Sequence, residues 1–125
     1  MTYELTIVDG VHPGRPPLTM NEWRNCHWRQ KTTAKQRITY QIKQALQKSP
    51  VPQIRRCQVT ITQYAPDGRR RDVDGLGAFR KDVCDALVKW GVFPDDNYRH
   101  VVDGGNTIEL DRTNPRIVIR LDVIE

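Results

Sequence analysis

Alternating and helically spaced apolar residues divide the chain into strands and helices. Apolar side chains recur at every second position in four stretches, which predicts strands with one buried face at 3–8, 57–64, 107–111 and 117–123. A further short strand is indicated at 101–102, before a pair of glycines. The short connection between the last two strands predicts a closing β-hairpin.

The first helical segment lies between residues 19 and 48. Residues 19–22 have the Thr-x-x-Glu form of a capping box, which is typical of a helix start. The better helical spacing of apolar residues comes later, at 34–46. The pattern leaves two arrangements open: one continuous helix to about residue 48, or an irregular piece followed by a helix that begins near Trp28.

The second helical segment covers about residues 76–90, where apolar side chains recur at steps of three and four. Gly91 suits the end of this helix, and Pro94 prevents its continuation. The predicted order is therefore β-α-β-α-β-β. We expect an α+β fold with two main helices packed on one face of a mixed sheet, formed by a single domain over residues 1–125.

The charge of the chain favours an anionic partner. Lysine and arginine together number 20 against 15 acidic residues, which gives a net charge of +5, and most of the basic residues are arginine. Arginine binds phosphate through its planar fork, so nucleic acid is the favoured partner class. The three widely separated cysteines indicate a reducing compartment, and no apolar run is long enough to predict a membrane span.

The densest concentration of charge lies at residues 69–74, where Arg69, Arg70 and Arg71 precede Asp72 and Asp74. In an extended Asp-x-Asp both carboxylates point to one face, and at about 4 Å they repel by roughly 4 kcal/mol at an effective dielectric constant near 20. A divalent cation relieves that repulsion through oxygen ligands. The residues alone leave a metal site and a solvated charged turn both open.

Two further features at the second helix bear on such a metal site. Asp95 and Asp96 follow the helix and can add a third carboxylate if the chain folds back. Lys81 lies on the same predicted helix face as Asp74, about two turns further on, within reach of a phosphate held at a metal there.

Aromatic and basic residues are interleaved at residues 23–35. This segment includes His27, Trp28, Arg29 and Lys31 as candidate DNA contacts. Aromatic rings stack on exposed bases while cations meet phosphates, which favours a nucleic-acid surface. The alternative is that Trp23 and Trp28 are anchors of the core or of a dimer interface.

Together these motifs resemble the RusA family of Holliday-junction resolvases, especially its phage and prophage branch. The resemblance is carried by Arg-Arg-Asp-x-Asp at 70–74, Lys-x-x-x-Asp-Ala-Leu at 81–87, Gly-Val-Phe-Pro-Asp-Asp at 91–96 and His-Val at 100–101. A weaker match lies at 25–31. The motif-rich part covers roughly a quarter of the chain.

The resemblance implies specific roles. Asp72 and Asp74 match the family's paired metal-binding aspartates, Asp96 its third essential acid, and Lys81 its functional helix lysine. The implied cofactor is Mg²⁺, with Mn²⁺ as an alternative. Gly75 is a departure, because the family usually has asparagine there.

The function expected from the resemblance is that of a Mg²⁺-dependent, structure-selective DNA endonuclease that resolves four-way junctions by paired cuts. The protein is then expected to be a homodimer in the cytoplasm of a bacterial or phage-infected cell, with Arg69, Arg70 and Arg71 on phosphates. A non-catalytic or weakly active protein that binds branched DNA is the alternative. A nucleotide-sugar transferase using Asp-x-Asp is a third, less suited to so short a chain.

Overall fold

The computed structural model describes residues 1–125, which form one four-stranded sheet and three α-helices. In chain order the elements are β1 (Thr2–Ile7), α1 (Met20–Asn25), α2 (Trp28–Lys48), β2 (Cys57–Ala65), a 3₁₀ turn (Val73–Leu76), α3 (Gly77–Lys89), β3 (Val101–Leu110) and β4 (Arg116–Val123). The α+β class and the mixed sheet are confirmed. The element order differs from the prediction because the first helical segment contains two helices.

The first helical segment breaks at residues 26–27. The second predicted arrangement is correct that the main helix begins at Trp28, but the piece before it is the short helix α1 and is not irregular. The capping box at Thr19 and Glu22 is confirmed and starts the short helix α1. The side chain of His27 then caps a second helix by accepting a hydrogen bond from the backbone N–H of Arg29. Because each helix has its own cap, the chain can change direction between them.

The predicted closing hairpin is wrong. The strand order is β1-β4-β2-β3, so β2 lies between the last two strands, antiparallel to β4 and parallel to β3. Helix α3 supplies the long crossover that a parallel pair requires. The link at 111–115 crosses the end of β2, a distance of about 10 Å or two strand spacings, which five residues span easily.

Strand β3 is one strand with a bulge, whereas the sequence suggested an interruption at its glycines. Its pairing with β2 shifts by one residue, because Val59 pairs with Asp103 and Ile61 with Asn106. Gly105 has a φ of +94°, which suits an extra residue in a strand. The Arg80 guanidinium donates to the carbonyl oxygens of Val59 at 3.0 Å and Gly105 at 2.6 Å, which satisfies acceptors at the bulge.

A single core joins the sheet to α2 and α3. It contains 19 buried side chains, which include most of the predicted helical apolar positions, while Leu46 and Trp90 are only partly buried against it. The apolar face of α3 is confirmed: Leu76, Phe79, Val83 and Leu87 are buried. Gly91 ends this helix with a φ of +80°, as predicted. No helix has both the length and the apolar character needed to cross a membrane.

Candidate nucleic-acid and metal site

A polar cleft of about 1030 Å³ lies between the loop after β1, helix α1 and the segment that follows β2. Five arginines line it: Arg15, Arg24, Arg69, Arg70 and Arg71. We call it the arginine cleft. Both Asp72 and Asp74 also line it, so the structure places the predicted arginine and Asp-x-Asp motifs in one concave surface.

Two of the five arginines of this cleft are held by neighbouring groups. Arg71 is held by the backbone oxygens of Asp67 and Arg69 and by the Asp67 carboxylate at 3.0 Å, and Arg15 pairs with Glu22. Arg71 is therefore a structural residue of the loop more than a free phosphate ligand.

The side chains of Arg69 and Arg70, in contrast, are 85% and 91% exposed. Their nearest carboxylate contacts are distant, at 3.7 Å to Asp67 and 3.9 Å to Asp72. These two guanidinium groups are available to a ligand in the cleft. The carboxylate of Asp67 in turn is stabilised in its charged form, since the backbone N–H of Arg69 and then the Arg71 side chain hold its pKa below the ordinary value.

The Asp-x-Asp segment is not extended as we expected. Asp72 has extended backbone angles, but Asp74 lies inside the 3₁₀ turn, which is closed by the Gly75 N–H donating to the Asp72 carbonyl oxygen at 2.9 Å. The two carboxylates nevertheless face the same cleft. Gly75 is not required by the backbone here, because a Cβ would come no closer than 3.9 Å to Thr19. A Cβ is therefore tolerated at this position.

Asp96 and Lys81 belong to a different group of side chains, which we call the lysine–aspartate cluster: Lys35, Lys81, Asp85 and Asp96. Lys81 Nζ donates to Asp96 Oδ2 at 2.7 Å and to Asp85 Oδ1 at 3.0 Å, while Lys35 Nζ reaches Asp85 Oδ2 at 3.0 Å. Asp96 is not among the residues that line the arginine cleft.

The charges in the lysine–aspartate cluster stabilise one another. The hydrogen bond to Asp96, followed by that to Asp85, raises the pKa of Lys81. Burial alone would raise the pKa of Asp85, but the hydrogen bonds from Lys35 and Lys81 outweigh it and the pKa lies below its ordinary value. On the same helix, burial raises the pKa of Asp82. Lys81 is therefore a fixed cation between two carboxylates.

The arginine cleft fits a two-carboxylate magnesium site better than a three-carboxylate one. No three His, Cys, Asp or Glu side chains are grouped so that they could hold one ion. Asp74 and Lys81 are seven residues apart, about 10–14 Å along helical backbone. Mg²⁺ is commonly held by one or two carboxylates together with substrate phosphates and water, for which Asp72 and Asp74 suffice. Participation of Asp96 stays a prediction.

The aromatic–basic segment forms an exposed elbow between α1 and α2. Trp28 is 63% exposed, so it is not a core anchor. Its ring lies 5.5 Å from the His27 ring and 5.5 Å from the Arg29 guanidinium carbon. Lys31 Nζ lies 3.9 Å from the centre of the Trp23 ring. An exposed indole beside cations is suited to stacking on a base, although His27 is also engaged as a helix cap.

One buried group that holds a wall of the arginine cleft is not predicted from the sequence. Asp9 is only 4% exposed, and its carboxylate accepts hydrogen bonds from the backbone N–H groups of Val11 and His12 and from the side chains of Arg37 and Gln41. This network ties the loop that carries Arg15 to α2. An aspartate directly after a strand is a turn signal, but its distant partners are not visible in the sequence.

Comparison with protein-family models gives no match, and comparison with curated proteins gives none. The features that bear on function are therefore the geometry of the cleft and the resemblance of its motifs. In that cleft the exposed guanidinium groups of Arg69 and Arg70 lie beside the carboxylates of Asp72 and Asp74.

Proposed function

We propose that the protein is a Mg²⁺-dependent endonuclease that cuts branched DNA, with the four-way Holliday junction as its substrate class. The observation that carries this proposal is the placement of two aspartates and two exposed arginines in one cleft. Carboxylates beside exposed arginines suit a metal-bound phosphodiester. The carboxylates would bind the metal ion, and the phosphates would bind both the metal ion and the arginines. The order and spacing of motifs shared with the RusA family support the same function.

Each residue has a distinct role in this proposal. Asp72 and Asp74 would hold Mg²⁺, or Mn²⁺, which supplies polarisation of the scissile phosphate and a bound water of low pKa. Arg69 and Arg70 bind neighbouring phosphates and set the position of the backbone. Arg71 holds the loop that presents them. The exposed Trp28 stacks on a base near the branch point, with Arg29 and Lys31 on flanking phosphates.

Lys81 and Asp96 have a supporting role in the proposal. Their ion pair connects α3 to the loop after it. Since the hydrogen bond to Asp96 helps to keep Lys81 charged, the pair can fix that loop, or Asp96 can leave it to serve as a third acid. The proposed homodimer would present two clefts to a junction that is itself nearly twofold symmetric. Sedimentation of the protein alone and with junction DNA tests that assembly.

The central experiment uses a synthetic four-way junction with Mg²⁺. Asp72→Asn and Asp74→Asn are expected to abolish cutting while junction binding is kept or tightened, because each removes a negative charge that faces phosphate. Glu109→Gln is the matched control, since it removes an exposed carboxylate outside the cleft. Normal cutting by both aspartate variants would show that the site assignment is wrong.

A second experiment tests the arginines. Arg70→Ala is expected to weaken junction binding and to reduce the slope of log Kd against log salt by about one unit, the amount for one phosphate contact. Arg112→Ala removes an exposed arginine that does not line the cleft and serves as the control. An unchanged slope for Arg70→Ala would place this guanidinium away from the DNA.

The second candidate function is a branched-DNA-binding protein that does not cut. It is favoured by the engagement of Asp96 with Lys81 and by Gly75 at a position where the family has asparagine. Tight junction binding without cutting in either Mg²⁺ or Mn²⁺ would establish it. Gly75→Asn then becomes informative, because the position has room for a Cβ. Gain of cutting by this variant would identify Gly75 as the cause.

A further inference from the structure

A second depression, of about 530 Å³, lies between α2 and α3 and shares no lining residue with the arginine cleft. We call it the lysine groove. Its lining includes Lys35, Tyr40, Lys43, Lys89 and Trp90. Three lysines against the single carboxylate of Asp85 make it cationic. Such a groove suits an anionic ligand more than an apolar one.

Two of the three lysines are free to bind a ligand. Lys35 is occupied by Asp85 at 3.0 Å, whereas Lys43 and Lys89 are exposed and form no ion pair. Their Nζ atoms lie 5.2 Å and 5.3 Å from the centre of the Trp90 ring. The groove therefore holds two unpaired cations, one on each helix, both near one aromatic ring.

The aromatic residues of the groove differ in how they are held. Trp90 is packed against the core, and its Nε1 donates to the Thr39 carbonyl oxygen at 3.0 Å, which links α3 to α2. Tyr40 is 60% exposed. One ring is thus a rigid part of the floor, and the other offers a free face beside the cations. Exposed rings next to cations are the usual components of single-strand nucleic-acid grooves.

The lysine groove is also continuous with the exposed elbow at Trp28. Positions 28, 32, 35, 39 and 43 follow one another at steps of four, three, four and four, so they share one face of α2. Four of these five residues are exposed. A strand that contacts Trp28 at the start of the helix can follow this face into the groove.

We propose that the lysine groove binds a nucleic-acid strand with at least one unpaired base, as a contact separate from the arginine cleft. Lys43 and Lys89 take consecutive phosphates and Tyr40 stacks on the unpaired base. The inference rests on the proposed function only in that the ligand is nucleic acid, and it deepens that function by adding a second strand contact. It does not depend on cutting.

The test measures anisotropy of a labelled single strand, a duplex and a four-way junction at several salt concentrations. Lys43→Ala and Lys89→Ala are each expected to reduce the salt slope for the single strand and the junction by about one unit. Lys48→Ala, also exposed on α2 but outside the groove, leaves the slope unchanged. Tyr40→Ala weakens single-strand binding about 5- to 150-fold, and Tyr40→Phe restores it.

The outcomes separate this inference from the proposed function. If the double variant Lys43→Ala/Lys89→Ala binds DNA as the wild type does, while junction cutting requires Asp72, the lysine groove proposal is wrong and the nuclease proposal stands. If the wild type binds but never cuts, the salt slopes of the Lys43 and Lys89 variants still show whether the lysine groove contacts nucleic acid. Absence of all nucleic-acid binding refutes both. A double variant with altered self-association and unchanged DNA binding identifies the groove as an interface between copies, which also overturns the proposal.

Discussion

Gly14 lies where the loop after β1 packs against β2 and against the residue before β4, one residue before Arg15 of the arginine cleft. Its φ is +78°, and its carbonyl oxygen accepts a hydrogen bond from the buried Gln63 side chain at 2.6 Å. A Cβ at this position would lie 2.5 Å from the Tyr64 carbonyl oxygen and 2.7 Å from the Pro115 Cβ. Gly14→Ala is therefore a direct test of how this loop is seated.

The expected cost has two parts. A left-handed backbone costs a residue with a Cβ about 1–2 kcal/mol. The overlap adds about 1–3 kcal/mol, the usual cost of overpacking, since a backbone oxygen and a proline ring cannot move aside as a flexible side chain would. The total of about 2–5 kcal/mol corresponds to a fall in Tm of roughly 8–20 °C for a domain of this size.

Two other glycines separate the two parts of this cost. Gly10 lies in the same loop with no positive φ, and no atom lies within 4 Å of the place that a Cβ would take, so Gly10→Ala is expected to be neutral or slightly stabilising. Gly91 has a φ of +80° and open space, so Gly91→Ala reports the backbone cost alone, about 1–2 kcal/mol. Thermal unfolding followed by circular dichroism ranks the three variants.

The ranking decides whether the loop packs as described. Gly14→Ala must be clearly less stable than Gly91→Ala, because only Gly14 meets the sheet. Equal losses would mean that the contacts with Tyr64 and Pro115 are absent in solution. The described position of Arg15 in the arginine cleft would then also be wrong, because Arg15 follows Gly14 in the same loop.

Three further predictions concern buried or paired charges. Burial alone would raise the pKa of Asp9, but hydrogen bonds, first that from the His12 backbone, outweigh burial and the pKa lies below its ordinary value of 3.8. The ionised carboxylate therefore stabilises the fold above pH 3.8, and this stabilisation is lost as the pH falls further. Asp9→Asn should flatten this acidic part of the pH–stability curve measured by urea unfolding. Arg80→Met leaves acceptors at the bulge unsatisfied and should destabilise the fold by about 2–5 kcal/mol, again by urea unfolding, with Arg112→Met as control. Lys81→Met should change Tm by only a few degrees, because the Lys81 side chain is 65% exposed. The same variant should reduce junction cutting, and normal cutting would show that Lys81 has no part in the mechanism.

Local patterns were sufficient for most elements of this fold. The strands at 3–8 and 57–64, the cap at Thr19 and the end of the last helix at Gly91 were predicted from spacing and turn chemistry, and the structure contains them. Each depends on neighbours within a few residues of the chain. For the same reason the arginines and aspartates at 69–74 could be expected on one surface, because they are adjacent in sequence.

Strand pairing could not be predicted from such local patterns. A short link between β3 and β4 suits a hairpin, and nothing local shows that β2 lies between them. The two glycines at 104 and 105 indicate a break in the strand when only the sequence is considered. The structure has a bulge there, because Arg80 on α3 donates a hydrogen bond to the Gly105 carbonyl oxygen, a contact that local sequence does not show. Pairing is decided by which apolar faces can be buried together, a property of the whole chain.

The candidate site divides in the same way. The sequence alone determined that Arg69, Arg70, Asp72 and Asp74 form one charged unit, because residues this close cannot be far apart in space. Only the tertiary structure decided that Lys81 is paired with Asp96 and that the cleft rests on the buried Asp9. Those contacts join residues 15 and 28 positions apart, so their formation depends on how the helices and loops pack, which short-range preferences do not specify.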